Sequence, residues 1–153
     1  HTQQVIQVSL LNVFLLMSTI GMYFLALWIN INNTIQGCCI AYLSNKRVFV
    51  KFDETMGFPD GMTVDNDNHL WVASWNGHGL YRFCENGTIV HFYRLPAPRI
   101  TSLTFFGDDL TTIAVTSART GLEPEILKQY PYSGAVFILT ASVKGIAESP
   151  AQL

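Results

Sequence analysis

An aspartate between a proline and a glycine is the residue of this chain best suited to holding a ligand. Asp60 stands in the run GFPDGMTVD, immediately before a short apolar strand predicted over Met62–Val64. Proline fixes its own φ and glycine allows a tight bend, so the two neighbours hold the carboxylate rigidly at the start of that strand. Ligand sites of all-β proteins are often built at such places. The alternative is that the carboxylate only caps its own turn through the backbone.

The other chemically capable side chains lack the spacing that a site requires. No serine lies in a nucleophile motif, and the run DNDNH lacks the glycine and the distal glutamate of a calcium loop. Turn or surface roles are expected for His69, His78, His91, Asp65, Asp67, Asp108 and Asp109. At least one of Trp71 and Trp75 is expected in the core, with Trp75 or Asn76 as a candidate to line a channel. Arg119 is expected to be structural.

The charged residues divide the chain into two unlike pieces. Residues 1–45 contain no Lys, Arg, Asp or Glu, so the net charge of −2 belongs to the second piece. No basic stripe is present, and a nucleic-acid partner is therefore not expected. The three cysteines, Cys38, Cys39 and Cys84, form neither a disulfide framework nor a metal motif, which predicts reduced thiols.

The uncharged run Val5–Ile31 leaves several interpretations open. Its length suffices for one membrane-spanning helix, which would make the membrane a partner. It would equally suit a stretch foreign to the protein, translated from non-coding sequence, or a buried core helix. Residues 1–42 are therefore treated as an apolar, helical segment that is either transmembrane or spurious. The chain begins at His1 rather than at Met, so a longer protein is expected.

From Arg47 onward, short alternating apolar runs bounded by turn residues predict β-strands. The predicted strands are Arg47–Phe52, Met62–Val64, Leu70–Trp75, Gly79–Phe83, Ile89–Leu95, Ser102–Phe106, Thr112–Thr116 and Ala135–Thr140. Asn86-Gly87 is a strong hairpin signal. A polar insert over Arg119–Ser133 contains LEPEILKQY, for which one or two helical turns are expected.

A weak internal repeat favours a β-propeller among the all-β folds. MTVDNDNHLWVASW aligns with LTFFGDDLTTIAVTSA at an offset of about 41 residues, and each copy runs from a strand through an acidic turn to a stronger strand. A period near 40 residues is typical of a four-stranded propeller blade. The sequence holds about two blades and an outer strand of a third, and their open faces predict marginal folding alone.

Five motifs carry a family resemblance. In chain order they read GFPDGMTVD, LWVASWNGHGLYRF, LPAPRITSLTFFG, TSARTGL and SGAVFILT. Together they resemble the C-terminal part of the regucalcin/gluconolactonase (senescence marker protein, SGL-type) family, over about residues 43–148. The resemblance implies an all-β, six-bladed propeller with one divalent metal, Ca²⁺ first and Zn²⁺, Mg²⁺ or Mn²⁺ as alternatives. It also implies a sugar-lactone substrate hydrolysed to an aldonic acid, and a cytoplasmic location.

The resemblance gives Asp60 two roles, as a metal ligand and as the general base that activates water. The family holds its metal with one Glu, two Asn and this Asp, and the other three belong to blades that have no counterpart in this chain. A metal-dependent lactonase fragment, inactive alone, is therefore expected. The alternatives are a non-enzymatic, regucalcin-like calcium-binding propeller and a membrane-tethered propeller resembling strictosidine-synthase-like proteins.

Overall fold

The computed structural model describes residues 23–30, 34–35, 38–39 and 42–147 of the chain. The chain divides into two compact units, one up to Lys51 and the other from Phe52 onward. In the first unit, strand β1 (Tyr23–Asn30) pairs antiparallel with β4 (Tyr42–Lys51), and β2 (Thr34–Ile35) pairs with β3 (Cys38–Cys39). The domain boundary predicted after residue 42 stays a prediction.

The helix expected over Val5–Ile31 is wrong for the part of it that is described. Tyr23–Asn30 is a strand that pairs antiparallel with β4, and the remainder of the predicted helix lies outside the described residues. Apolar, β-branched and aromatic residues suit a strand as well as a helix, so hydropathy alone did not distinguish the two. Across the described stretches, no helix has the length and apolar character needed to cross a bilayer.

The second unit begins with a four-stranded antiparallel sheet. Its strands β5 (Phe58–Val64), β6 (Leu70–Trp75), β7 (Gly79–Phe83) and β8 (Ile89–Arg94) follow one another in chain order. The predicted Asn86-Gly87 hairpin joins β7 to β8, with Gly87 at φ 84° and its N–H bonded to the Cys84 carbonyl at 2.9 Å. Consecutive strands with tight turns form the unit expected of a propeller blade.

A second sheet repeats the first three strands of that pattern. It comprises β9 (Ile100–Phe106), β10 (Thr112–Ser117) and β11 (Val136–Thr140), in the order β11-β10-β9. Between β10 and β11 the predicted polar insert forms one short helix, α1 (Pro124–Gln129), with no buried residue. The aligned sequence repeat therefore corresponds to the first two strands of each sheet, and an all-β, propeller-like architecture is confirmed.

The apolar core of the second unit lies between its two sheets. Trp71 on β6 is fully buried, stacks on Tyr93 at 4.9 Å between ring centroids and meets the edge of Phe105 on β9 at 5.6 Å. Ile100 and Ile113 complete this contact at 0% and 1% exposure. Strand residues at alternate positions therefore bury one face of the second sheet against the first. The expectation of a core tryptophan is confirmed for Trp71.

Candidate functional site

A β-bulge places Asp60 on the first strand of the four-stranded sheet. Pro59 pairs with Ser74, and the next regular pair is Met62 with Val72, so Asp60 and Gly61 lie in the irregularity between them. A bulge re-aims side chains and often marks a functional position in a sheet. This geometry is why β5 begins at Phe58, earlier than the strand predicted from Met62. The proline and the glycine therefore flank Asp60 within the strand, not in a turn before it.

Gly61 brings β5 against the first strand of the second sheet. A Cβ on Gly61 would lie 2.6 Å from Ser102 Oγ and 2.7 Å from the Thr101 carbonyl oxygen. Only a glycine fits this approach, because any larger residue would overlap the backbone of β9. Asp60 therefore stands where the first strands of two neighbouring sheets meet.

The Asp60 carboxylate has no counter-ion among residues 48–147. It is half-buried, and this burial raises its pKa, while the Gly61 backbone N–H lowers it in part. A carboxylate that is costly to ionise and has no cationic partner is typical of functional sites. A divalent cation fits this position, since it would offset the cost of the negative charge with an oxygen ligand that such ions prefer.

Arg99 directly precedes β9, at the end of the sheets where β5 begins and β6 finishes, which we call the rim. Its backbone forms a β-bridge with Trp75, which is also the partner of Phe58 on β5. The guanidinium lies 4.8 Å from the Trp75 ring centroid, and its Nε donates to Asn76 Oδ1 at 3.1 Å. Its Nη1 donates to the Thr120 carbonyl in the insert. Trp75 and Asn76 therefore lie at the rim, as expected of a strand end, and Arg99 joins them to the insert.

A second cluster of acidic residues lies at the end of β5 and the start of β6, away from Asp60, and an arginine binds it. Asp65, Asp67 and His69 offer ligand atoms within 4.8 Å of one another. Asp65 is fully buried, however, and Arg82 bonds to its Oδ2 through Nε at 2.8 Å and Nη2 at 2.7 Å. Trp71 Nε1 donates to the same oxygen at 2.7 Å. The guanidinium occupies the place that a cation would take, so this group is a structural network.

Asp65 also satisfies the local turn, as the sequence predicts. Its Oδ1 accepts hydrogen bonds from the backbone N–H groups of Asp67 and His69, both at 3.0 Å. His69 Nδ1 lies 3.0 Å from Arg82 Nη2. The turn roles of Asp65 and His69 are thus confirmed, but both also belong to a buried ion pair that the sequence analysis missed. The missing signal was Arg82, which follows Asp65 by 17 residues on another strand.

His78 lies in the turn from β6 to β7, at the same sheet end as Asp60. It adopts φ 63°, and its ring centroid lies 5.0 Å from that of Tyr130 in the insert. Its buried Nδ1 has no hydrogen-bond partner, and burial together with the nearby Arg94 lowers its pKa. A neutral imidazole fixed by packing agrees with the expected turn role.

Several other candidate residues stay away from Asp60 or remain ordinary. Asp109 caps the turn before β10 by accepting from Thr111 N at 3.1 Å, which agrees with its predicted turn role. Arg119 is exposed and makes no ion pair within the described part of the chain. Cys84 is a free thiol, as predicted. Arg99 is the site residue that sequence reasoning missed, although PAPR directly before a strand places a cation at a strand start.

The bulged carboxylate, the rim cation and the repeated sheets define an all-β, propeller-like protein with a polar site where two sheets meet. Residues 39–119 match the SMP-30/Gluconolactonase/LRE-like region. Because this match covers more than half of the chain, the protein belongs to that family. The family resemblance stated from the five motifs is confirmed.

Curated relatives and solved structures agree with this assignment. Regucalcin of Danio rerio is 41% identical over 106 residues, which are 68% of this chain and 36% of the relative. Regucalcin of Sus scrofa is 38% identical over 110 residues, 71% of this chain and 37% of the relative. The chain therefore spans little more than a third of the length of these relatives.

Two solved structures share the fold at useful identity. Regucalcin of Agrobacterium tumefaciens, described as a calcium-binding protein, superposes with a TM-score of 0.67 at 30% identity, over 72% of this chain and 37% of that one. A luciferin-regenerating enzyme superposes with a TM-score of 0.64 at 31% identity, over 72% of this chain and 38% of that one.

Proposed function

We propose that this chain is the C-terminal part of a metal-dependent sugar-lactone hydrolase in which Asp60 is both a metal ligand and the general base. The Asp60 carboxylate carries the proposal. It is half-buried in a bulge, its pKa is raised by burial, and the described residues supply no counter-ion. Family membership supports the substrate class, since the family is described as SMP-30/Gluconolactonase/LRE-like.

The chemistry follows from what a rigid carboxylate does beside a bound ion. A divalent cation polarises the lactone carbonyl and lowers the pKa of water. Asp60 would hold the cation through one oxygen and accept the proton of the attacking water through the other. The bulge and the close approach of Gly61 to β9 fix the backbone that carries this carboxylate. Calcium is the first candidate because the Agrobacterium relative is described as calcium-binding, with zinc, magnesium and manganese as alternatives.

One carboxylate does not make a tight site, and the 153-residue chain alone should therefore be inactive. Calcium takes about 6–8 oxygen ligands and magnesium about six. In the described residues, Arg82 already binds the cluster of Asp65, Asp67 and His69, so this cluster adds no metal ligands. We propose that a complete six-bladed propeller supplies the remaining ligands from other blades.

The test compares two carboxylates in the longest natural form of the protein. Asp60→Asn should weaken Ca²⁺ binding in calorimetry by about tenfold or more and reduce lactone hydrolysis by at least about a hundredfold. Asp109→Asn is the matched control, since Asp109 is an exposed carboxylate in the turn between β9 and β10, and it should change neither. Unchanged calcium affinity in Asp60→Asn would refute the proposed ligand role. Turnover by the 153-residue chain that Asp60→Ala abolishes would refute its inactivity alone.

A non-enzymatic calcium-binding role is the second candidate, favoured by the description of the Agrobacterium relative. Titrating calcium with and without a sugar lactone separates the two. A lactonase should turn the lactone over in proportion to calcium occupancy. A purely calcium-binding protein should bind the ion equally well in both titrations and release no acid.

A further inference from the structure

Two opposite charges at the junction of the sheets remain unpaired, and they do not pair with each other. The Asp60 carboxylate has no cationic partner, and the Arg99 guanidinium has no carboxylate partner, among residues 48–147. Arg99 is instead held by neutral groups, namely Asn76 Oδ1, the Thr120 carbonyl and the Trp75 ring. Partly buried charges that stay unpaired are costly, and ligands commonly offset that cost.

Strand register shows how far apart the backbones of Asp60 and Arg99 stand. Gly61 lies against Thr101, while Trp75 contacts both Phe58 and Arg99 by strand pairing. Because Trp75 pairs with Phe58 on one side and with Arg99 on the other, Arg99 lies level with Phe58 but two strand spacings across the sheet from it, about 10 Å. Asp60 lies two residues beyond Phe58 on β5, which adds roughly 7 Å along the strand direction. The two charges are therefore too far apart to pair, and a polyol chain of several carbons would be needed to reach both.

The guanidinium is held in one orientation with donors to spare. Its Nε and Nη1 are engaged and its face covers Trp75, which leaves the Nη2 group without a hydrogen-bond partner among the described residues. A guanidinium fixed on its other side is preorganised, so little further entropy is lost when it binds an anion. Carboxylates and phosphates are the anions that a guanidinium binds through short charge-assisted hydrogen bonds, and lactone hydrolysis releases a carboxylate.

We propose that Arg99 is the anion-binding residue of this site and takes the carboxylate of a polyhydroxy acid, the chemical class that lactone hydrolysis releases. The inference rests on the proposed function and deepens it. A cation held at Asp60 and a carboxylate held at Arg99 would neutralise both charges at once. A neutral lactone gains less at Arg99 than the acid does, so the rim binds the product more tightly than the substrate.

The test uses the longest natural form of the protein and a matched pair of probes. D-Gluconate carries a carboxylate on a polyol chain, and sorbitol is a polyol of the same length without it. In calorimetry with saturating Ca²⁺, gluconate should bind at least about tenfold more tightly than sorbitol. Arg99→Met should lower gluconate affinity by about tenfold to a hundredfold and leave sorbitol affinity unchanged. Arg99→Lys keeps the charge without the fork and should lie between them.

Controls separate this inference from the proposed function and from simple loss of structure. Asn76→Ala removes a neutral contact of Arg99 and should retain most of the preference for gluconate. Equal affinities for gluconate and sorbitol in the wild-type protein would overturn the inference, whatever the variants do. If calcium binding depends on Asp60 but gluconate binding does not depend on Arg99, the rim assignment fails and the metal proposal stands. If calcium binding does not depend on Asp60, the proposed function fails first.

Discussion

Arg82→Met removes the guanidinium of Arg82 and keeps an apolar side chain. This change should destabilise the second unit more than any surface substitution. Asp65 would keep its charge in a position with 0% exposure and lose a charge-assisted hydrogen bond at 2.8 Å and a second ion-pair contact at 2.7 Å. Removing one partner of a buried ion pair typically costs about 3–5 kcal/mol. Trp71 Nε1 and two backbone N–H groups still bond to the carboxylate, so we expect the lower end, about 3 kcal/mol.

The matched control is Asp67→Asn, which removes the other carboxylate contact of the same arginine. Asp67 is 57% exposed by side chain and lies 3.3 Å from Arg82 Nη2, so its loss should cost less than about 1 kcal/mol. Arg82→Lys keeps a charge and should cost an intermediate amount, about 1–2 kcal/mol.

Urea unfolding followed by far-ultraviolet circular dichroism measures these differences. For a slope of about 2 kcal/mol per molar urea, a loss of about 3 kcal/mol lowers the midpoint by about 1.5 M. Arg82→Met and Asp67→Asn with midpoints within about 0.3 M of each other would refute the network as a buried ion pair. The double variant Asp65→Asn with Arg82→Met should recover part of the loss, because it removes the stranded charge.

Three further changes test the site and its surroundings. Asp60→Asn should raise the midpoint of thermal unfolding near pH 7 without added cation. Burial raises the pKa of the Asp60 carboxyl in the folded protein above its ordinary 3.8. The carboxyl therefore contributes stability below pH 3.8, and this stability is lost as the pH rises through the folded pKa. That gain should vanish near pH 3. Gly61→Ala should cost about 1–3 kcal/mol in urea unfolding, since its Cβ would overlap Ser102 and the β9 backbone. His78→Asn should reduce the loss of stability between pH 7 and pH 5. Burial and the nearby Arg94 lower the pKa of His78 in the folded protein below 6.5. The neutral imidazole therefore contributes stability above pH 6.5, and this contribution is lost as the pH falls through the folded pKa.

Each of these has its own contrary result. A less stable Asp60→Asn at neutral pH would mean that the carboxylate has a counter-ion in solution. For Gly61→Ala, a loss below about 0.5 kcal/mol would contradict the close approach, since a Cβ there would lie 2.6 Å from Ser102 Oγ and 2.7 Å from the Thr101 carbonyl oxygen. Asparagine also tolerates φ 63° at position 78, so a pH profile identical to wild type would remove His78 from the acid response.

Local patterns predicted the strands well, and the limits came from distant partners. Leu70–Trp75 and Gly79–Phe83 have the predicted bounds, because alternation and turn residues surround them. The start of β5 was missed since Pro59 and Asp60 look like a turn until Ser74 pairs across the bulge. Tyr23–Asn30 looked helical because an apolar run without charges fits either structure until a pairing strand is known.

The site was predicted as one residue and the structure surrounds it with others. Asp60 was found from its own neighbours in sequence, and its role as ligand and base stays a prediction. Arg99 escaped notice because its partners, Trp75, Asn76 and Thr120, come from three separate segments. Contacts across that much sequence leave no local spacing to detect.

The last described stretch of the chain has a consequence for when this protein can finish folding. The Gly145 backbone forms a β-bridge with Asp65, its N–H bonds to the Leu110 carbonyl at 2.8 Å, and a Cβ there would overlap the Phe105 ring. The contact between Asp65 and Gly145 joins residues about 80 positions apart in sequence, and contacts so distant in sequence form late. On the ribosome the turn at Asp65 in the first sheet therefore lacks its partner until Gly145 leaves the exit tunnel. Emergence of Gly145 from the exit tunnel, rather than completion of the first sheet, should set the moment at which the sheet resists proteolysis.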